Sequence, residues 1–167
     1  MKLYRLERTQ ILPISQNKAW QFFSQPLNLP AITPDWLGFR ITSSAGEDMY
    51  AGQVISYRLK PIFGIPATWV SEITHVHEPD SFVDEQRFGP YRFWHHRHIF
   101  KPVENGTHIH DIIHYAIGGG IFGQWVQRLL VAPRLKRIFN YRREKLELIF
   151  CENDATPNSS SNPGSNG

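Results

Sequence analysis

Apolar and polar positions alternate loosely over residues 2–12, a period of two that predicts a strand, and Pro13 closes it. The period then changes. Ser15 can N-cap a short helix over 16–24, on which Trp20, Phe23 and Ser24 share a face. Pro26 opens a second short helical stretch, PLNLPAIT, whose length Pro30 and Pro34 limit. Strand-like segments then recur at about 36–44, 50–60, 65–77, 81–88, 91–102 and 106–117. Turn chemistry separates them: Ala45-Gly46-Glu47-Asp48, Pro61 to Gly64, Glu78-Pro79-Asp80, Gly89-Pro90 and Asn105-Gly106. Asn-Gly between Val103 and Thr107 is the strongest hairpin signal in the chain. Six consecutive strands with short connections imply an antiparallel meander.

Gly118-Gly119-Gly120 ends the strand pattern and reads as a hinge before a long helix. Phe122, Trp125, Val126, Leu129 and Leu130 repeat at helical spacing, and Pro133 either kinks this helix or begins its second half. Leu135, Ile138, Phe139, Arg142, Leu146, Ile149 and Phe150 continue one stripe, with Arg142 its single charged member. The expected fold is therefore α+β: a curved seven-stranded antiparallel sheet wrapped around a long C-terminal helix, with two short helices after strand 1. One helix about 10 Å wide need not fill the space that a curved sheet encloses, so a cavity between them is expected.

Composition sharpens this picture in two ways. Aromatic residues make up 13% of 167 residues, ample for one core and also suited to lining a cavity. Residues 153–167 contain 12 Asn, Ser, Pro or Gly out of 15 and no aromatic. A domain over 1–151 followed by a disordered tail over 152–167 is expected. The whole chain carries +3, but residues 1–151 hold 18 basic against 13 acidic groups, or +5. The excess is concentrated on the last helix, where Arg134, Lys136, Arg137, Arg143 and Lys145 lie opposite the apolar stripe. A solvated face, an anionic membrane surface and a protein partner all suit such a patch. Nucleic acid does not, because no recognition motif or stacking platform accompanies the charge. Cys151 stands alone, so no intrachain disulfide can form. MKLYRLERTQ lacks the apolar stretch of a signal peptide, and no apolar run reaches the roughly 18–20 residues of a membrane span. A soluble cytoplasmic domain is expected.

In order along the chain, several motifs resemble the START/Bet v 1-like superfamily of helix-grip proteins, in particular the bacterial SRPBCC ligand-binding group. They are Phe22-Phe23-Ser24 with Pro26, Asn28-Leu29 running into Ile32-Thr33-Pro34, Phe82-Val83-Asp84, and Gly89-Pro90. Trp94-His95-His96-Arg97-His98-Ile99-Phe100, Asp111, Tyr115 and Ile138-Phe139-Asn140-Tyr141-Arg142 complete the set, which covers about residues 1–150. The resemblance implies binding of a lipid, sterol, polyketide or quinone under the long helix. Some members are aromatases or cyclases, so the fold is implied more strongly than any reaction.

All eight histidines lie between positions 75 and 114, and His75/His77, His96/His98 and His108/His110 pair at i, i+2, on one face of a strand. No HExxH, CxxC or similar metal spacing occurs, and neither a metal nor a cofactor is expected. Over 107–117 the parity Thr107, Ile109, Asp111, Ile113, Tyr115, Ile117 is the more apolar and should face inward, leaving His108, His110 and His114 toward solvent. Asp111 inside needs a donor, for which Tyr115, His96 or His98 is available. Either a polar network that fixes the sheet or a contact for a ligand head group fits this placement. Over 92–100 the two parities are equally apolar, and only the resemblance implies that Trp94, His96 and His98 line the cavity. Trp69, Phe82, Asp84, Gln86, Phe122, Trp125 and Leu129 are further lining candidates by alternation or helical stripe.

Serine catalysis and phosphate binding have no supporting motif: there is no GxSxG, and the Gly run lacks the GxGxxG spacing and the P-loop lysine. No nucleophile, base and orienter can be named together. The expected function is carriage or sensing of a small hydrophobic ligand. One alternative is a cyclase/aromatase-type enzyme using Asp111, Tyr115 and a cavity histidine. The other is a partner or membrane-surface module acting through the basic helix.

Overall fold

The computed structural model describes residues 2–43, 48–61 and 63–151. The tail over 152–167 and most of the turn expected at Ala45 to Asp48 lie outside the described residues. Strand β1 (Tyr4–Leu12) leads to helix α1 (Gln16–Phe23) and then to a 3-10 helix at Pro26–Ile32. Ser15 caps α1, its hydroxyl accepting the Lys18 backbone N–H, and the helix buries Ala19, Trp20 and Phe23. Strands β2 (Arg40–Ile41), β3 (Gln53–Leu59), β4 (Ala67–His77), β5 (Ser81–Phe88), β6 (Phe93–Val103) and β7 (Gly106–Ala116) follow. They form one antiparallel sheet in the order β1-β7-β6-β5-β4-β3-β2, a meander closed by β1 pairing with the last strand.

The segment expected as a strand over 36–44 is mostly something else. Asp35–Leu37 makes a 3-10 turn, Gly38 takes the left-handed conformation at φ 54°, and only Arg40–Ile41 pairs with β3. Pro34 and Gly38 bracket a turn that apolar spacing alone could not reveal. The Asn-Gly hairpin forms with Val103 paired to Gly106, so Glu104 and Asn105 are its two loop residues.

Helix α2 (Gly120–Val126), a π-helical turn at Gln127–Val131 and helix α3 (Ala132–Cys151) run on without interruption. The wide turn stands directly before Pro133, where an ordinary α-helix would set the proline ring against a carbonyl of the preceding turn. Helix α3 lays Leu135, Phe139, Leu146 and Phe150 on the sheet. Two apolar clusters result. One joins α1 and the 3-10 helix to Phe82, Phe100, Ile109, Leu146 and Phe150; the other joins Trp94, Ile113, Tyr115, Val131, Leu135 and Phe139. Trp69 packs against both. Among the described residues no helix is long and apolar enough to cross a membrane.

Candidate functional site

Between the two clusters lies a cavity of about 200 Å³, walled by the inner sheet face, by α3 and by the segment after α1. Alternation on β3, β4 and β5 supplies Ile55 and Tyr57, Trp69, Ser71 and Ile73, and Phe82 and Asp84. Trp94, His96 and His98 project from β6, and α3 contributes Leu135, Ile138, Phe139 and Arg142. Most of the wall is apolar. Three of its polar groups, Asp84, His96 and His98, gather at one place.

That place is set by strand register. Asp84 on β5 stands opposite His96 on β6, and His98 stands opposite Asp111 on β7. His96 Nε2 lies 2.9 Å from Asp111 Oδ1, and His98 Nε2 lies 3.0 Å from Asp84 Oδ2, both within hydrogen-bond geometry. His98 Nδ1 is also 2.9 Å from Asp111 Oδ1, but too oblique for a hydrogen bond, and His96 Nδ1 is 3.4 Å from Asp84 Oδ2. The two imidazole centroids are 3.7 Å apart, and Phe82 stacks on His98 at 4.1 Å. Two carboxylates thus bracket two imidazoles.

Burial disfavours every charge in this group. For Asp111 the contacts from His96 and His98 outweigh burial and hold its carboxyl well below the usual range. Asp84 is lowered too, because the His98 hydrogen bond and the positive charge of His96, His98 and Arg142 overcome its burial. Both carboxylates together overcome the burial of His98 and raise it, whereas burial and the neighbouring His98 lower His96. Both carboxyl groups are thus favoured in the ionised form, and of the two imidazoles His98 is favoured over His96 to carry an extra proton, with Arg142 facing the negative charge. Burial, and then the charge of Asp84, push the Tyr57 phenol up, so it remains a neutral donor.

Two buried guanidinium nitrogens on the wall, Nε of Arg134 and Nε of Arg142, have no hydrogen-bond partner among the described residues. Arg134 was expected on the outer basic face. Instead its guanidinium lies 4.2 Å from the Trp36 ring centroid and reaches the Lys60 carbonyl at 3.4 Å. Lys136, Arg137 and Arg143 are exposed, and Lys145 is half-buried beside Tyr141.

The structure brings six of the expected lining residues to the cavity wall: Trp69, Phe82, Asp84, Trp94, His96 and His98. Asp111 is buried behind the two histidines. Tyr115 is buried under Tyr4 and Trp94, its hydroxyl accepting from Gln127 at 3.1 Å. Gln86 is spent on the backbone of Tyr91, donating to its carbonyl at 2.8 Å and accepting its N–H at 3.2 Å. Gly89 permits that clamp, since a Cβ there would lie 2.5 Å from Gln86 Oε1.

Phe122, Trp125 and Leu129 require a correction. They face away from the cavity and are 76%, 59% and 63% exposed. Helix α2 meets the core through Val126 and lies tight on the preceding connection at Gly123, where a Cβ would meet the Gly118 carbonyl oxygen at 2.0 Å. Its large side chains therefore point outward, and burial resumes after the π-helical turn at Val131. Sequence reasoning missed Tyr57, Tyr91, Arg134 and Arg142 as wall residues. Arg142 was marked by its place on an apolar stripe; the others carried no comparable signal.

No family model and no curated protein matches the chain. Solved structures do. Protein Ms6760 from Mycobacterium smegmatis superposes with a TM-score of 0.62 at 19% identity, over 87% of this chain and 92% of that one. Protein CV1439 from Chromobacterium violaceum gives 0.65 at 11%, over 87% and 96%. Major latex-like protein 151 from Panax ginseng gives 0.65 at 14%, over 89% and 97%. The chain shares the helix-grip α+β fold of these structures. At such identities the likeness carries the fold alone.

Proposed function

We propose that this protein binds a compact, largely apolar ligand bearing an oxygen-rich polar group, and does so without covalent chemistry. The observation that carries this reading is a largely apolar cavity with Asp84, His96, His98 and Arg142 at one place on its wall, while the buried Nε atoms of Arg142 and, two helical turns away, of Arg134 lack partners among the described residues. Buried donors of this kind are normally satisfied, and a carboxylate, phenolate or carbonyl oxygen of a ligand would satisfy them. The cavity of about 200 Å³ is smaller than the roughly 300–1,000 Å³ of drug-sized sites, which favours a ring system such as a quinone or small polyketide over a long acyl chain. The cyclase reading draws no support from the geometry, because neither Asp111 nor Tyr115 lies on the wall with the histidines.

Titration with anilinonaphthalene sulfonate, an apolar anion, tests the reading. One saturable site is expected, weakened about tenfold or more in Arg142→Met by loss of a charge-assisted contact and abolished by Ser71→Trp, which fills the cavity. Equal binding by all three proteins would overturn it.

A second reading concerns the outer face of α2. Ile121 (77% exposed), Phe122, Trp125 and Leu129 share one side of the helix, with Arg128 exposed beside them. An apolar face flanked by basic charge suits the surface of an anionic membrane, from which an apolar ligand can be taken up.

A further inference from the structure

The Asp84–His96–His98 cluster has a second property that ligand binding does not use. An ionised carboxylate only accepts hydrogen bonds, so His96 Nε2 donates to Asp111 and a neutral His96 presents its lone pair at Nδ1. His98 Nε2 donates to Asp84 in the metal-free protein and becomes a ligand by giving up that proton, while His98 Nδ1 keeps its own, 2.9 Å from Asp111 Oδ1. His96 Nδ1 and His98 Nε2 both lie beside Asp84 Oδ2, at 3.4 and 3.0 Å. One ligand atom from each of the three residues lies within 4.8 Å of the other two. With metal–ligand bonds of about 2.0–2.2 Å, neighbouring ligands in a tetrahedral or octahedral shell stand roughly 3.0–3.5 Å apart. Both measured contacts fall in that range.

From this geometry we infer that Asp84 Oδ2, His96 Nδ1 and His98 Nε2 form a binding site for one divalent transition-metal ion, with Asp111 orienting the two imidazoles from behind. Two imidazoles and one carboxylate suit zinc or iron(II) rather than calcium or magnesium. A histidine ligand that donates its other ring nitrogen to a carboxylate is the usual outer-shell arrangement. The charges balance as well, since two carboxylates offset a 2+ ion once the imidazoles are neutral, and the proton shared between His98 and Asp84 leaves on binding. Asp84, His96 and His98 line the cavity and Asp111 does not, so the open coordination positions face the cavity. That an oxygen of the bound molecule fills one of them rests on the ligand reading above; the metal site itself does not.

Zinc binding by chelator-stripped full-length protein, followed by isothermal titration and by metal content after desalting, tests the site. One equivalent is expected in the wild type. Affinity is expected to fall at least tenfold in Asp84→Asn and in His98→Ala, and to be unchanged in the surface variant His108→Ala. Cobalt(II) in place of zinc should give visible ligand-field bands that Asp84→Asn loses. No retained metal in the wild type, or equal retention by wild type, Asp84→Asn and His98→Ala, overturns the inference. The wild-type result stands even if a variant fails to fold. Anilinonaphthalene sulfonate titration of the same metal-free samples keeps the two proposals apart: saturable dye binding without metal binding removes the ion and leaves the ligand reading in place.

Discussion

Asp111 illustrates how alternation can place a residue without choosing between two readings of it, a network that fixes the sheet or a contact for a ligand head group. Parity on β7 put it inside, and it is inside. What parity could not show is that His96 and His98 stand between it and the cavity, because that depends on which residues of β6 face it. Its role is to hold two imidazoles in place. Replacing Asp111 with Ala would leave buried imidazole donors without an acceptor, and breaking a buried charged pair costs about 3–5 kcal/mol. Urea denaturation of Asp111→Ala is expected to show a loss of that order at unchanged slope; a loss under about 1 kcal/mol would mean the pair is not coupled to the fold. Arg142 is the converse case. A charge on an otherwise apolar helical stripe was visible in the sequence, but Arg134 was indistinguishable there from the solvated cations around it. Its buried Nε and its reach to the Lys60 carbonyl separate Arg134 from that face.

At the scale of elements, strands with strict alternation and clear turns were legible. β1 and β4 to β7 match their expected spans to within a few residues, and Ser15 and Pro26 mark where the short helices begin. The losses are physical. At 36–44, the preceding Pro34 and the left-handed Gly38 redirect a chain whose apolar content still looked strand-like. In α2, the stripe Phe122, Trp125, Leu129 has the spacing of a buried face, but helical phase does not say which side meets the protein. Gly123, against the preceding backbone, and Val126, against the core, are what pack. If α2 serves as a membrane contact, Phe122→Ser with Trp125→Ser should leave folding stability within about 1 kcal/mol, as substitutions of exposed side chains usually do. The same pair should greatly reduce co-sedimentation with phosphatidylglycerol vesicles, and wild-type binding should weaken with salt. Equal sedimentation of wild type and double variant would remove α2 from that role.

For the whole molecule, one helix on a seven-stranded meander was enough to expect a cavity, and the chain encloses one. The contents of its polar corner were not available from spacing. Asp84 and His96 are twelve residues apart in the chain, and His98 and Asp111 thirteen; they meet because two hairpin registers place them on adjacent strands. The proposed binding of an apolar ligand with a polar end rests on the cavity's volume, its unpaired guanidinium nitrogens and the carboxylate–imidazole group. Native mass spectrometry of protein freshly purified without detergent or organic solvent tests this most directly. A discrete added mass is expected at one equivalent, released on denaturation and reduced in Arg142→Met. A protein that carries no added mass as isolated, and takes up neither quinones nor small polyketides when they are supplied, would contradict the claim that this cavity is a binding site.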